Sequence, residues 1–328
     1  MQPTPWQFFR SQWAKTPPVP REDLSGKTIV VIGANVGLGF EAAKHFASMN
    51  PGMLILACRD RKRGEGALQQ IKQQTGCKNV HVWLVDLQDH GSIAAFAERF
   101  EKENVRLDVL VANAAVKPPS EKKAEAGPGG WEITHLPGQQ LIDQFTVPSA
   151  FVTSGLHYGT QLDPNVLRSE HPVLRFGKAE YTDGKDLASN KRYSDTKLLN
   201  VFFARGLNDR LQNQPLLVSN VCPGYCVSSL RRHYTGFRLF VDWLMEKALA
   251  RTTEEGSRQL VWASVAKQDE PDMFRGAYIS CMQFMEPSNF VVSQAGAEMQ
   301  DKIWDDMLVE MGKINPKVLE ISSTYLAQ

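Results

Sequence analysis

Tyr193 and Lys197 stand four residues apart in the string Arg-Tyr-Ser-Asp-Thr-Lys, a spacing that stacks two side chains on one helix face, one turn apart. A free tyrosine releases its proton only at about pH 10. A neighbouring ammonium favours the phenolate, which suits the pair to giving or taking a proton near neutrality. Ser154 ends the string Phe-Val-Thr-Ser, at the carboxyl end of an expected strand. A hydroxyl there can bond a carbonyl oxygen and stabilise the charge that develops on it. Thr153 competes for that place, because a register shift of one residue exchanges the two; Ser154 is assigned the role.

A second constellation lies near the amino terminus, in Gly33-Ala-Asn-Val-Gly37-Leu-Gly39. Glycines between a buried strand and a helix permit a tight turn and bring backbone N–H groups close to a pyrophosphate. Gly33, Gly37, Leu38 and Gly39 are therefore candidate cofactor contacts. The spacing is not the G-x-G-x-x-G fingerprint, and no Lys-Ser/Thr follows as in a P-loop, which argues against an NTPase. About twenty residues on, where a ribose ligand is expected, the chain reads Ala57-Cys58-Arg59-Asp60. Arg59, with Lys62 nearby, offers cations for a 2′-phosphate, so NADP(H) is expected over NAD(H). The plainer reading of Arg59, Arg61, Lys62 and Arg63 is a solvated helix start. Asp86 is placed to accept from an adenine amino group, or else to cap the next helix.

These residues need a frame to hold them. Short β-branched runs at 27–32, 53–58, 80–87, 107–112, 149–153, 216–221 and 276–280 alternate with helical stretches at 40–49, 61–74, 90–102, 190–212 and 297–311. That alternation predicts one doubly wound α/β parallel sheet with helices on both faces. Residues 1–24 read as an extension and 25–328 as a single domain, with a substrate lid and carboxyl-terminal part from about 229. The polar stretch 117–130 reads as an exposed loop or a lid. The amphipathic stretch 237–250 reads as a lid for a lipophilic substrate or as ordinary core packing.

Bulk properties narrow the class. Thirty-seven Lys and Arg against 36 Asp and Glu leave a net charge of +1, so no field recruits nucleic acid. Five cysteines, odd in number and set in apolar strings, suit buried free thiols in a reducing, cytoplasmic compartment. Cys222 and Cys226 with His233 lack a fourth ligand, and no metal is expected. The amino terminus lacks the apolar core of a secretory signal, and nowhere do 18 apolar residues run together to span a membrane. Trp6, Phe8, Phe9 and Trp13 are compatible with a membrane surface or, more simply, with packing on the domain.

The turn Gly33/Gly37/Gly39, Asn113-Ala114-Ala115, Ser154, Tyr193 with Lys197, and Pro223-Gly224 follow one another in an order that resembles the short-chain dehydrogenase/reductase family. Ala57-Cys58-Arg59-Asp60 and Arg192-Tyr193 are most similar to its retinol-dehydrogenase-like branch, and Glu255-Gly256-Ser257-Arg258 and Glu286-Pro287-Ser288-Asn289-Phe290 to fungal secondary-metabolism members. The resemblance implies a doubly wound sheet and hydride transfer between NADP(H) and a small carbonyl or alcohol, with a polyketide-like intermediate among the candidates. It implies Tyr193 as acid/base, Lys197 as its activator and a ribose ligand, Asn113 at the cofactor, and Cys226 and Ser228 beside the nicotinamide amide. A homo-oligomer is also compatible with it. Two departures stand out. The segment 131–150 is shortened and lacks the family's relay asparagine, with Pro137-Gly138 breaking any helix there, and Ala115 replaces a glycine. The alternative is therefore a cofactor-binding but catalytically impaired relative.

Overall fold

The computed structural model describes residues 4–115, 131, 149–178, 190–211, 217–231, 234–266 and 270–326. The run Thr28–Ile32 is β-branched at every position and forms strand β1, buried throughout. Such side chains lose little rotamer freedom in extended chain and pack well on a pleated surface. They alternate between two cores: Val30 and Ile32 enter one apolar cluster, Ile29 and Val31 the other. A strand buried on both faces belongs in the middle of a sheet between two helical layers.

The remaining strands are β2 (Met53–Cys58), β3 (Val80–Leu84), β4 (Val109–Ala112), β5 (Ser149–Val152), β6 (Val218–Cys222), β7 (Tyr278–Ser280) and β8 (Gln283–Met285). They form one sheet in the order β3-β2-β1-β4-β5-β6-β7-β8. Every pairing is parallel except that of β7 with β8. Strand order reverses direction between β1 and β4, and open α/β sheets place their ligands at that switch point.

The helices are α1 (Pro5–Trp13), α2 (Gly37–Ala47), α3 (Arg61–Thr75), α4 (His90–Glu103), α5 (Pro164–Arg168), α6 (Pro172–Gly177), α7 (Asn190–Arg210), α8 (Gly236–Leu249), α9 (Thr253–Val265), α10 (Asn289–Val292), α11 (Gln294–Ile314) and α12 (Lys317–Tyr325). Phe46 of α2, Ile71 of α3, and Leu260 and Val261 of α9 cover one face of the sheet. Phe96 and Phe100 of α4, Phe202 and Phe203 of α7, and Trp304 of α11 cover the other. There Phe203 lies between Phe151 and Trp304, with ring centres 5.6 and 5.8 Å away.

The expected doubly wound architecture is the observed one, and the differences lie at element ends and in short elements the sequence reading lacks. β3 closes at Leu84 rather than at 87, since the chain turns where Asp86 N–H donates to Ser92 Oγ at 2.9 Å. α2 begins at Gly37, three residues early, so the glycine turn supplies its first turn. The structure adds α1, α5, α6, α10, β8 and α12. The signal for α1 was present: Thr4 and Gln7 form a capping box and Pro5 occupies the first helical position. The β7–β8 hairpin had no such signal, because Cys281 and Met282 turn it with φ of 56° each, where glycine or asparagine is the usual mark. Residues 116–130 and 132–148, with all but 131, 149 and 150 of the shortened stretch, lie outside the described residues.

Candidate active site

The carboxyl ends of β1, β2, β4, β5 and β6 open into one cleft of about 1790 Å³. Gly33, Gly37, Leu38, Arg59, Asp86, Asn113, Ser154, Tyr193, Lys197, Cys226 and Ser228 all line it. Gly39 and Lys62 do not. Gly39 sits behind the turn, where an added Cβ would lie 2.5 Å from Gly33 O and 2.6 Å from Asn113 Nδ2. Its absent side chain lets helix and strand meet. Lys62 is exposed on the first turn of α3, and Arg63 beside it faces the cleft.

The turn itself is shaped for a bound anion. Gly33 and Gly37 have φ of 75° and 67°, conformations that cost a glycine nothing. Asn113 Nδ2 braces the turn by donating to Ile32 O at 3.2 Å. α3, α4 and α9 begin with side-chain caps from Asp60, Asp89 and Thr252. α2 is preceded by Val36, whose side chain makes no cap, which leaves its first N–H groups and the positive end of its dipole available to a pyrophosphate. On this observation the cleft fits a dinucleotide.

At the end of β2, Arg59 is exposed and unencumbered by its neighbour, because Asp60 Oδ1 accepts from Arg63 N at 2.9 Å to cap α3. Asp86 closes its own turn by accepting from Gln88 N at 3.0 Å. Capping of α4 falls to Asp89 instead. Cys226 is buried, its thiol donating to Pro223 O at 3.2 Å, and Ser228 Oγ accepts from Leu230 N at 3.1 Å. Among the described residues no three His, Cys, Asp or Glu side chains could hold a metal ion. His233 lies outside those residues.

Tyr193 and Lys197 occupy adjacent turns of α7, as their spacing requires. Lys197 Nζ lies 5.5 Å from the Tyr193 ring centre and donates to Val152 O at 2.9 Å. The expected lowering of the tyrosine by this ammonium is not the outcome. Burial dominates, pushing the Tyr193 hydroxyl well above its ordinary value and the Lys197 ammonium down to about 8. Each charged form loses water that nothing fully replaces. Ser154 Oγ accepts from Leu156 N at 3.2 Å, so one lone pair is held and the hydroxyl hydrogen stays free to turn into the cleft. Thr153 Oγ1, also in the cleft lining, is buried with no hydrogen-bond partner among the described residues.

Several lining or supporting groups escaped the sequence reading. His157 Nδ1 bonds Ser154 O at 2.8 Å while its Nε2 accepts from Ser288 N at 3.2 Å. The proton therefore sits on Nδ1, and burial holds the ring neutral down to about pH 4. Tyr278 places a buried hydroxyl 4.0 Å from where a Gly155 Cβ would stand. Gly155 N itself donates to Cys222 Sγ at 3.2 Å. From the amino terminus, Gln12 Oε1 accepts from Tyr225 N at 3.0 Å, bringing α1 onto the cleft wall. A buried histidine at the first turn after a strand is the single cue among these that spacing could have offered.

Comparison with known proteins agrees with this geometry. A family profile described as short chain dehydrogenase matches residues 27–132. The short chain dehydrogenase/reductase dmxR8 of Cryptosporiopsis sp. is 32% identical over 329 residues, covering 95% of this chain and 98% of that protein. The short-chain dehydrogenase anuD of Penicillium roqueforti is 30% identical over 333 residues, covering 95% of this chain and 84% of that protein. Among solved structures, L-sorbose reductase from Gluconobacter frateurii, complexed with NADPH and L-sorbose, is similar in fold, with a TM-score of 0.58 at 16% identity over 81% of this chain and 100% of that one. A dinucleotide-shaped turn, a Ser–Tyr–Lys set in the same cleft, and near full-length similarity place this chain in the short-chain dehydrogenase/reductase family of oxidoreductases.

Proposed function

We propose that the protein is an NADP(H)-dependent oxidoreductase that interconverts a small, lipophilic carbonyl compound and its alcohol, in the biosynthesis of a polyketide-like secondary metabolite. The observation that carries the reading is the meeting of Ser154, Tyr193 and Lys197 in the cleft onto which the uncapped α2 opens. The free Arg59 guanidinium, with Arg63 beside it, supports NADP(H) over NAD(H). Residues 25–328 act as one catalytic domain. The five free thiols support a cytoplasmic setting.

When bound, the nicotinamide supplies or accepts the hydride. The chain's own groups manage the oxygen. Ser154 Oγ, held by Leu156 N–H, donates to the substrate oxygen and stabilises the charge growing there. Tyr193 gives its proton to that oxygen in reduction and takes one in oxidation. Lys197 sets an ammonium 5.5 Å from the Tyr193 ring, a charge that works against the burial holding Tyr193 as the phenol and so eases release of its proton. Gly33, Gly37, Leu38 and Asn113 would hold the pyrophosphate turn, Arg59 with Arg63 the 2′-phosphate, Asp86 the adenine, and Cys226 and Ser228 the amide end, while Lys62, outside the cleft lining, has no contact there.

The test is the dissociation constant of the purified protein and of Tyr193→Phe for NADPH and NADH, by tryptophan quenching, beside turnover on a panel of ketones. Tight, NADPH-selective binding by both proteins, with turnover lost by at least about a hundredfold in Tyr193→Phe, is the expected result. Equal turnover by the two proteins overturns the catalytic assignment. Binding without turnover in the parent protein favours the impaired relative that the shortened 131–150 segment suggests.

A further inference from the structure

Helix α8 is inside out. Phe237, Phe240 and Trp243 are 80%, 54% and 51% exposed, and Leu239 and Leu244 are exposed beside them. The helix's two acidic residues point inward. Arg231 Nε donates to Asp242 at 3.0 Å, and its Nη2 donates to Glu246 and, at 2.9 Å, to Cys226 O. One buried-side arginine thus holds both carboxylates against the body of the protein and fixes the apolar stripe outward. Water-facing helices of soluble proteins present the opposite pattern.

α1 extends the same surface. Trp13 Nε1 donates to Ala248 O of α8 at 3.0 Å, and Trp6, Phe8 and Trp13 are 68%, 40% and 61% exposed. Three of the chain's seven tryptophans therefore lie on this one patch. Its charges are of one sign. α1 contains no acidic residue and α8 only the two tied to Arg231, whereas Arg10, Lys15, Arg238 and Lys247 are exposed. The patch also borders the cleft, whose lining includes Gln7, Phe8 and Ser11 from α1 and Tyr234 and Asp242 from α8 and its approach.

We propose that α1 and α8 together form an interfacial binding surface for an anionic lipid bilayer, with the mouth of the cleft opening at the membrane. Tryptophan and phenylalanine seat their rings at headgroup depth, and flanking cations meet lipid phosphates. No described helix is long and apolar enough to cross a membrane, so the contact is parallel to the surface. A second copy of the chain fits this face less well, because a self-complementary interface sets the same cations on both sides. A lipid-dissolved substrate would pass from the bilayer to the cleft without crossing water.

The experiment is cosedimentation of the full chain with vesicles of phosphatidylcholine alone and of phosphatidylcholine mixed with phosphatidylserine. The variants are Phe240→Ser with Trp243→Ser, and Arg238→Glu with Lys247→Glu. The intact protein is expected to sediment with the mixed vesicles, more weakly with phosphatidylcholine alone, and to show tryptophan quenching by brominated lipid. The double aromatic variant should bind at least about tenfold more weakly, with NADPH affinity and circular dichroism unchanged. The charge reversal should abolish the preference for phosphatidylserine. An intact protein that stays in solution with mixed vesicles and shows no quenching overturns the proposal, as does unaltered binding by a folded aromatic variant. A concentration-dependent dimer lost in that variant, without vesicle binding, assigns the face to a second copy and also overturns it.

Discussion

At the scale of single residues, desolvation works on Tyr193 and Lys197 in opposite senses and drives both toward neutrality. Burial brings Lys197 down to about 8, so its charge is present below that pH and lost above it. We expect kcat/KM for carbonyl reduction to fall as pH rises through about 8, and Lys197→Arg, which stays charged, to move that fall to higher pH. A pH–rate profile flat across this range contradicts the role. Arg59 carries cofactor choice on a single exposed guanidinium. Arg59→Asp should weaken NADPH by about tenfold to a hundredfold while leaving NADH the same or tighter, measured by titration of both. The identity of these residues was legible because Tyr–Lys spacing and an arginine at a strand tip are local. The protonation balance was not, since it depends on how much water the folded cleft removes.

At the scale of elements, the β1–turn–α2 unit depends on a glycine that never touches the cleft. A Cβ at Gly39 would press on the Gly33 carbonyl and on Asn113, which braces the turn. Gly39→Ala should cost about 1–3 kcal/mol by overpacking, lower the melting temperature and weaken NADPH binding together. Gly37 offers a contrast: nothing lies within 4 Å of its Cβ position, so Gly37→Ala bears the backbone strain of a positive φ alone. Calorimetry with and without NADPH separates the two. The unit was readable in the sequence because a buried β-branched run, a left-handed turn and a helix are each specified within a few residues. The β7–β8 hairpin was not, its left-handed positions being filled by Cys281 and Met282.

At the scale of the whole molecule, His157 joins the end of β5 to the carboxyl-terminal segment through Ser154 O and Ser288 N. Its folded value of about 4 lies below the ordinary 6.5, so the unfolded chain binds the proton more readily. The stability that follows is complete above about 6.5 and is lost as pH falls through about 4, on the order of 3 kcal/mol. Urea unfolding across that range should show the loss, and His157→Gln should flatten it. A parent protein with no acid limb in this window disproves the coupling.

By itself the sequence determined the alternation of the seven parallel strands with their main covering helices, the glycine turn, and the Tyr193–Lys197 pair, because periodicity, backbone preference and helical spacing act over a few residues. Only the tertiary structure decided which partners those groups meet. Lys197 bonds Val152 O, Gln12 reaches Tyr225 across 213 positions, and Tyr278 arrives beside Gly155 from a distant strand. The outward apolar face of α8 belongs to the same class. Its sequence reads as a lid or as ordinary core packing; the core-packing reading fails because the apolar stripe is exposed, the side turned to water being set by where Arg231 anchors Asp242 and Glu246. Such contacts arise from packing between remote segments, which no local pattern records.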